Sequence, residues 1–217
     1  MTFFLRHAIA QISYTLCWLF LKPLFRFFFD YKIVYTHPIE DIQSPIVVAA
    51  NHTSALDAFF IGTAFPLFSS ILPIRFATAP EHYWRPHYLP MLWLLGSFPI
   101  YKKIGLQNSL KYPLSILRHG KSVGIFPEGK RVVNGRPPRA RRGVAYLSLV
   151  AEVPILPISI QGNRGITLKK ILSRSMKVRV IVGSPYSLSP ALAHPSAFEE
   201  ASEYVMQSIK NLQTISH

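Results

Sequence analysis

The chain has 217 residues, enough for one substantial core and too few for two comfortable domains. Apolar residues make up 49% of it and charged residues only 16%, yet the formal charge is +14, so contact with lipid and an anionic partner are both expected. Composition does not choose between a phosphate substrate, an acidic membrane surface and nucleic acid, but the single cysteine, Cys17, excludes an intrachain disulfide and argues against a cysteine nucleophile.

Residues 3–29 are dominated by Phe, Leu, Ile and Trp, interrupted by Arg6, His7, Lys22, Pro23 and Arg26. The uninterrupted apolar part, 8–21, falls short of the ~20 residues of a simple spanning helix, and no small-residue cleavage pattern follows it. The pattern predicts one or two interfacial helices broken near Pro23, with rings and cations at headgroup level. Helices packed over the domain's own core have a similar composition. This segment, 1–30, is set apart from an α/β domain over 31–217.

Residues 31–35 read as a first strand and 46–50, apolar and β-branched behind Pro45, as a buried second one. Polarity then switches abruptly. Ser54 and Asp57 have the spacing of a helix opening that runs towards Pro66, which leaves His52 in the turn. Two residues five apart within one helix point roughly 140° apart and could not pair. With His52 ahead of the helix and Asp57 in its first turn, the imidazole can fold back onto the carboxylate, the usual way to build a general base. The same residues also suit a plain turn histidine and a helix-capping acid.

Residues 75–79 suit a third strand, and 81–84 and 91–95 read as helical or irregular cover. Glu81, His82 and His87 match no familiar zinc spacing, so no metal site is expected. Residues 96–101 form a short strand ending in Lys102 and Lys103. Leu106, Leu110, Leu114 and Leu117 mark an amphipathic helix over 106–119, despite Pro113, and 122–126 a further buried strand. That strand runs into Phe126-Pro127-Glu128-Gly129-Lys130-Arg131, and from Lys121 to Arg142 there are seven cations and one acid. The loop lacks the interleaved aromatics of an RNA-stacking platform and suits a phosphate better, Gly129 letting the backbone come close.

Arg142-Gly143 leads into a helix over 144–151. Two prolines, Pro154 and Pro157, mark 153–160 as an edge or sharply entered strand. Residues 177–182 alternate as a strand, and a last helix begins at Ser196 with Glu199 completing a capping box, burying Phe198, Val205, Ile209 and Leu212. Strands alternating with helices predict one layered α/β domain with a mixed, largely parallel sheet flanked by helices.

Four blocks in order, NHTSALD from Asn51, GSFPIYK from Gly96, FPEGKR from Phe126 and VPILPI from Val153, resemble the glycerolipid acyltransferases of the lysophosphatidic acid acyltransferase type. The resemblance spans about residues 47–160. It departs from the family pattern at Lys102, where arginine is usual, and at Lys130, where threonine is usual. It implies a glycerol-3-phosphate acyltransferase-like fold and transfer of a fatty acyl group from a thioester to the free hydroxyl of a lysophospholipid, chiefly 1-acylglycerol-3-phosphate.

On that reading His52 is the base and Asp57 its orienting acid. Glu128, Gly129 and Arg131 shape the acceptor site, Lys102 takes the place of a phosphate-binding arginine without its bidentate fork, and Lys130 adds a charge nearby. Arg142 is a further phosphate candidate, or a solvated helix-start residue. No bound cofactor is implied; acyl-CoA or acyl-ACP enters as the donor substrate. The expected partners are a lysophospholipid, an acyl thioester, an anionic membrane surface and an acyl carrier protein, with no nucleic acid. The expected location is the cytoplasmic face of a bacterial-type inner membrane. A different lysolipid or amino-lipid acceptor, or a non-enzymatic basic module binding membrane or RNA, would account for part of the same pattern.

Overall fold

The buried run 46–50 becomes the strand Val47–Ala50 (β2), all four residues of which are buried. In the computed structural model, which describes residues 3–132, 139–190 and 196–215, β2 lies at the centre of a seven-stranded sheet. On one side it pairs in parallel with Val123–Ile125 (β5), which pairs in parallel with Arg75–Thr78 (β3), which in turn pairs with the edge strand Phe98–Pro99 (β4). On the other side Ile155–Gln161 (β6) is parallel to β2, Lys177–Val182 (β7) is antiparallel to β6, and Asp30–Tyr35 (β1) closes the second edge parallel to β7. A strand covered on both faces reads as a continuous apolar run, which is why β2 shows no polar alternation. The basic block 130–142 falls partly outside the described residues, Arg136 included.

Side chains alternate across the pleat. Val48 and Ala50 face a core shared with Leu156, Ile158 and the helix Asp57–Ala64 (α2), while Val47 and Ala49 face one shared with Leu106–Arg118 (α5), Gly143–Ala151 (α6) and Phe198–Leu212 (α8). Pro80–Tyr83 (α3), Leu89–Leu94 (α4) and Leu168–Leu172 (α7) are short helices in the connections.

Several expectations need correcting. The N-terminal segment is one helix, Phe3–Phe28 (α1), that continues through Pro23. Pro23 lies on the exposed side, as does Leu19, whose carbonyl it leaves without an N–H donor. Beyond it, Phe25 and Phe29 pack on Phe60 at ring-centroid distances of 4.5 and 5.4 Å and hold the last turn in place. At 26 residues the helix is about 39 Å long, and His7–Phe28 is long and apolar enough to cross a membrane. One face of α1 is nevertheless docked on the domain through Tyr14, Phe25 and a Trp18 Nε1–H bond to the Phe65 carbonyl of 2.9 Å. The opposite face exposes Ile12, Leu16, Leu19, Phe20, Leu24 and Phe27.

The strand carrying Pro157 is interior rather than an edge. The Pro157 carbonyl accepts from Gly183 N–H just past the end of β7, so the missing N–H of Pro157 faces that same gap and no bond to β2 is lost. Two helices start later than the serines expected to open them: α2 begins at Asp57 and α8 at Phe198, each without a side-chain cap on its Ncap residue, although Ser54 N–H does donate to the Asp57 carboxylate at 3.0 Å.

Candidate active site

Because β2, β5, β3 and β4 run parallel, the segments leaving their carboxyl ends emerge together, where open α/β sheets hold ligands. These segments are 51–57 after β2, 126–132 after β5 and the 3-10 turn Lys102–Ile104 after β4.

Asp57 is fully buried. Its Oδ2 accepts from His52 Nδ1 at 2.8 Å, Thr53 N–H at 2.7 Å and Ser54 N–H at 3.0 Å, while Oδ1 accepts from Asn163 Nδ2. The turn 52–56 folds around this one carboxylate, helped by Leu56 N–H donating to Ser54 Oγ at 3.1 Å. With Nδ1 committed to Asp57, the other ring nitrogen, Nε2, is the one left for a substrate proton. The His52 side chain is 21% exposed, which gives a ligand access to it. Its ring lies flat on Phe126, centroids 4.0 Å apart and planes 11° apart, and Phe126 stacks in turn on Phe76. Gly124 makes room for this column: a Cβ there would sit 2.4 Å from the Phe76 ring.

The turn after β5 grips the turn after β2. The Glu128 carboxylate accepts from His52 N–H at 2.8 Å, and Val132 N–H donates to the His52 carbonyl at 2.7 Å. Gly129 N–H closes the Phe126-to-Gly129 turn at 2.9 Å with φ 66°, a conformation suited to glycine. Lys102 Nζ donates to the Gly129 carbonyl at 2.7 Å, joining the end of β4 to the same place. Lys130 and Arg131 are exposed beside it, with no ion pair among the described residues.

Of the expected site residues, His52, Asp57, Lys102, Glu128 and Gly129 are thus joined through two linked turns, and Lys130 and Arg131 follow Gly129 in the chain as exposed cations. Arg142 is drawn off: its guanidinium lies 3.7 Å from Glu199 on α8, the acid that also binds Arg139 at 3.0 Å. The neighbouring Arg141 is better placed, its side-chain stem lying against Gly129 and its N–H donating to the Pro127 carbonyl at 2.7 Å.

Two buried asparagines complete the site and were not singled out from the sequence. Asn51 exchanges two hydrogen bonds with Ile160, at 2.8 and 2.7 Å, fixing the end of β2 to β6. Asn163, which follows β6, holds Asp57 with its amide nitrogen and accepts from Thr53 Oγ1 at 2.8 Å with its oxygen. Asn163→Ala should cost about 1–3 kcal/mol of stability through the unpaired buried groups. It should lower kcat while leaving KM for the acceptor nearly unchanged, because it acts through Asp57; denaturant melts and steady-state kinetics check both.

Burial pushes the Glu128 carboxyl from 4.5 up to about 8, the Asp57 charge adding to the rise and the His52 N–H opposing it. The folded protein therefore retains a proton that the unfolded chain gives up. Stability is lost as pH rises from the unfolded value through the folded one. Glu128→Gln removes that dependence, so between about pH 5 and pH 9 the wild-type melting temperature should fall relative to the variant's.

Beside the ring column, between α1, α2 and β3, lies a narrow apolar cavity lined by residues including Tyr14, Trp18, Phe59, Ile74, Phe76 and Leu95.

A family profile described as Acyltransferase matches residues 33–161. The 1-acyl-sn-glycerol-3-phosphate acyltransferase of Bacillus subtilis is 27% identical over 175 residues, covering 79% of this chain and 82% of that protein. The "probable 1-acyl-sn-glycerol-3-phosphate acyltransferase" of Mycoplasma pneumoniae is 29% identical over 184 residues, covering 76% of this chain and 65% of that protein. The crystal structure of the 1-acyl-sn-glycerophosphate acyltransferase of Thermotoga maritima superposes with a TM-score of 0.66 at 19% identity, covering 94% of this chain and 81% of that one, which shows a shared fold.

Proposed function

The chain belongs to the Acyltransferase family, and from that premise we propose that it transfers a fatty acyl group from a thioester to the free hydroxyl of 1-acylglycerol-3-phosphate, giving phosphatidic acid. The observation that carries this reading is the double clamp on the His52 peptide, which joins the turn bearing the paired base to the cationic turn. A thioester needs no covalent enzyme intermediate, since it is already activated; positioning and one base suffice. His52 Nε2 takes the hydroxyl proton as the oxygen attacks the thioester carbonyl. The carbon–sulfur bond breaks, and the proton passes from the imidazolium to the departing thiolate. Asp57 stabilises the imidazolium meanwhile.

Arg131, Lys130 and Lys102 receive the acceptor phosphate, Lys102 as a point charge steadied by the Gly129 carbonyl. The apolar cavity beside Phe76 takes the acyl chain, and the exposed stripe of α1 lies in the lipid surface, on the cytoplasmic side where coenzyme A and carrier-protein thioesters are found. Arg131→Ala and Lys102→Ala should each raise KM for the acceptor roughly 10- to 100-fold, the range of a lost charged hydrogen bond, and change kcat far less. The reading is tested by incubating the purified full chain with 1-acylglycerol-3-phosphate and either acyl-CoA or acyl carrier protein thioester. Phosphatidic acid and free thiol in equal amounts support it; transfer from neither donor overturns it.

A further inference from the structure

The detour between β6 and β7, residues 162–176, lies at the sheet end that holds His52, because β6 leaves and β7 enters there. Its inner side is accounted for. Asn163 is buried against Asp57, and Ile166 and Ile171 pack on the core. Its outer side is apolar without a packing reason. Thr167 caps α7 through Lys170 N–H, and Leu168 and Leu172, four apart and hence on one face, are 71% and 64% exposed. Arg164, Lys169, Lys170 and Arg174 surround them, all exposed, and residues 162–176 contain no acid. Lys22 and Arg26 on α1 add cations, and Asp30 at the start of β1 is the bordering acid.

This patch is continuous with the outer stripe of α1. The Arg174 guanidinium lies 3.7 Å from the centre of the Phe27 ring, and Phe27 shares that stripe with Phe20 and Leu24. Exposed leucines ringed by cations complement an anionic lipid surface, whose headgroups attract the charges while the acyl region takes the side chains.

We propose that residues 164–174 form a second membrane-docking element, in which Leu168 and Leu172 enter an anionic phospholipid surface and Arg164, Lys169, Lys170 and Arg174 meet its phosphates. Together α1 and α7 set the carboxyl end of the sheet against the bilayer, so that a lysolipid reaches His52 without leaving the surface. The proposal deepens the membrane reading above, but its test does not depend on catalysis.

In the full chain carrying Cys17→Ser, an environment-sensitive fluorophore is attached at Leu168→Cys, and in a second preparation at Gln207→Cys, exposed on α8 across the sheet. Each is mixed with phosphatidylcholine vesicles with or without phosphatidylglycerol, some carrying spin-labelled acyl chains. The label at 168 is expected to shift to the blue and be quenched on anionic vesicles, less so on neutral ones, while the label at 207 does neither. Lys169→Glu with Lys170→Glu should abolish the quenching at 168. An unshifted, unquenched label at 168 on vesicle-bound protein overturns the proposal, as does a shift that needs no vesicles and grows with protein concentration, which would mark a contact between copies. Normal acyl transfer without quenching removes this inference alone, whereas quenching without transfer supports it and removes the proposed reaction.

Discussion

His52→Ala should lower kcat for acyl transfer by roughly 10³-fold, within the range that a positioned general base contributes, while KM for the acceptor stays close to wild type. The fold should survive the change. The clamp from Glu128 and Val132 holds the His52 peptide, and neither of its bonds involves the imidazole. What is lost with the ring is its stacking on Phe126 and one of the four hydrogen bonds to Asp57. A melting temperature near the wild-type value together with collapsed turnover would separate a catalytic role from a merely structural one. Turnover within a few-fold of wild type would remove the proposed base.

At Asp57 the second large effect divides between two variants. Asp57→Ala leaves the Thr53 and Ser54 amides and the Asn163 side chain without their common acceptor in a fully buried place, so it should cost about 3 kcal/mol or more and compromise folding. Asp57→Asn is the informative change. Its amide oxygen can still face His52, Thr53 and Ser54, and its NH2 then faces Asn163. That side chain accommodates it by turning its own amide, which brings its nitrogen to Thr53 Oγ1, a hydroxyl able to accept. Geometry is kept and only the negative charge goes. A kcat reduced roughly 10²- to 10⁴-fold in a well-folded Asp57→Asn protein would show that the charge stabilises the imidazolium. Coupling to Asn163 is checked by the double variant Asp57→Asn with Asn163→Asp, which restores a carboxylate on the wrong residue and should not restore turnover.

The sheet was largely legible in the sequence, because short apolar runs between turn residues have few other uses and their lengths suited strands. The pairing of His52 with Asp57 was legible too, since helical geometry forbids it unless the histidine precedes the helix. Other features depended on what lies across the fold. Pro157 looked like an edge residue because a sequence does not show that β7 stops one position short of it. Pro23 looked like a break because the packing of Phe25 and Phe29 on Phe60 is a long-range fact. Ser54 stands at capping distance from Asp57 and its N–H does reach that carboxylate, but His52 and the Thr53 N–H share it, so the acid organises a turn ahead of α2 rather than only capping it.

Asn163 did carry a signal: it follows the end of a buried strand just as His52 and Glu128 do, and the same rule applied to β6 would have found it. Phe126 carried none. Its stacking on the imidazole is set by the register of β2 against β5, which apolar patterning does not reveal.

For His52 to act on a lysophospholipid, the proton acceptor and the phosphate-binding cations must engage one molecule at the same time. The most direct measurement is the ratio of kcat/KM for 1-acylglycerol-3-phosphate to that for the corresponding monoacylglycerol, taken with the same acyl thioester on wild-type protein and on the Lys102→Ala, Arg131→Ala double variant. The predicted result is a wild-type preference of roughly 100-fold or more for the phosphate-bearing acceptor, as two charged contacts imply, falling towards unity in the double variant. Equal use of both acceptors by the wild type, or a preference the double variant leaves untouched, would contradict it.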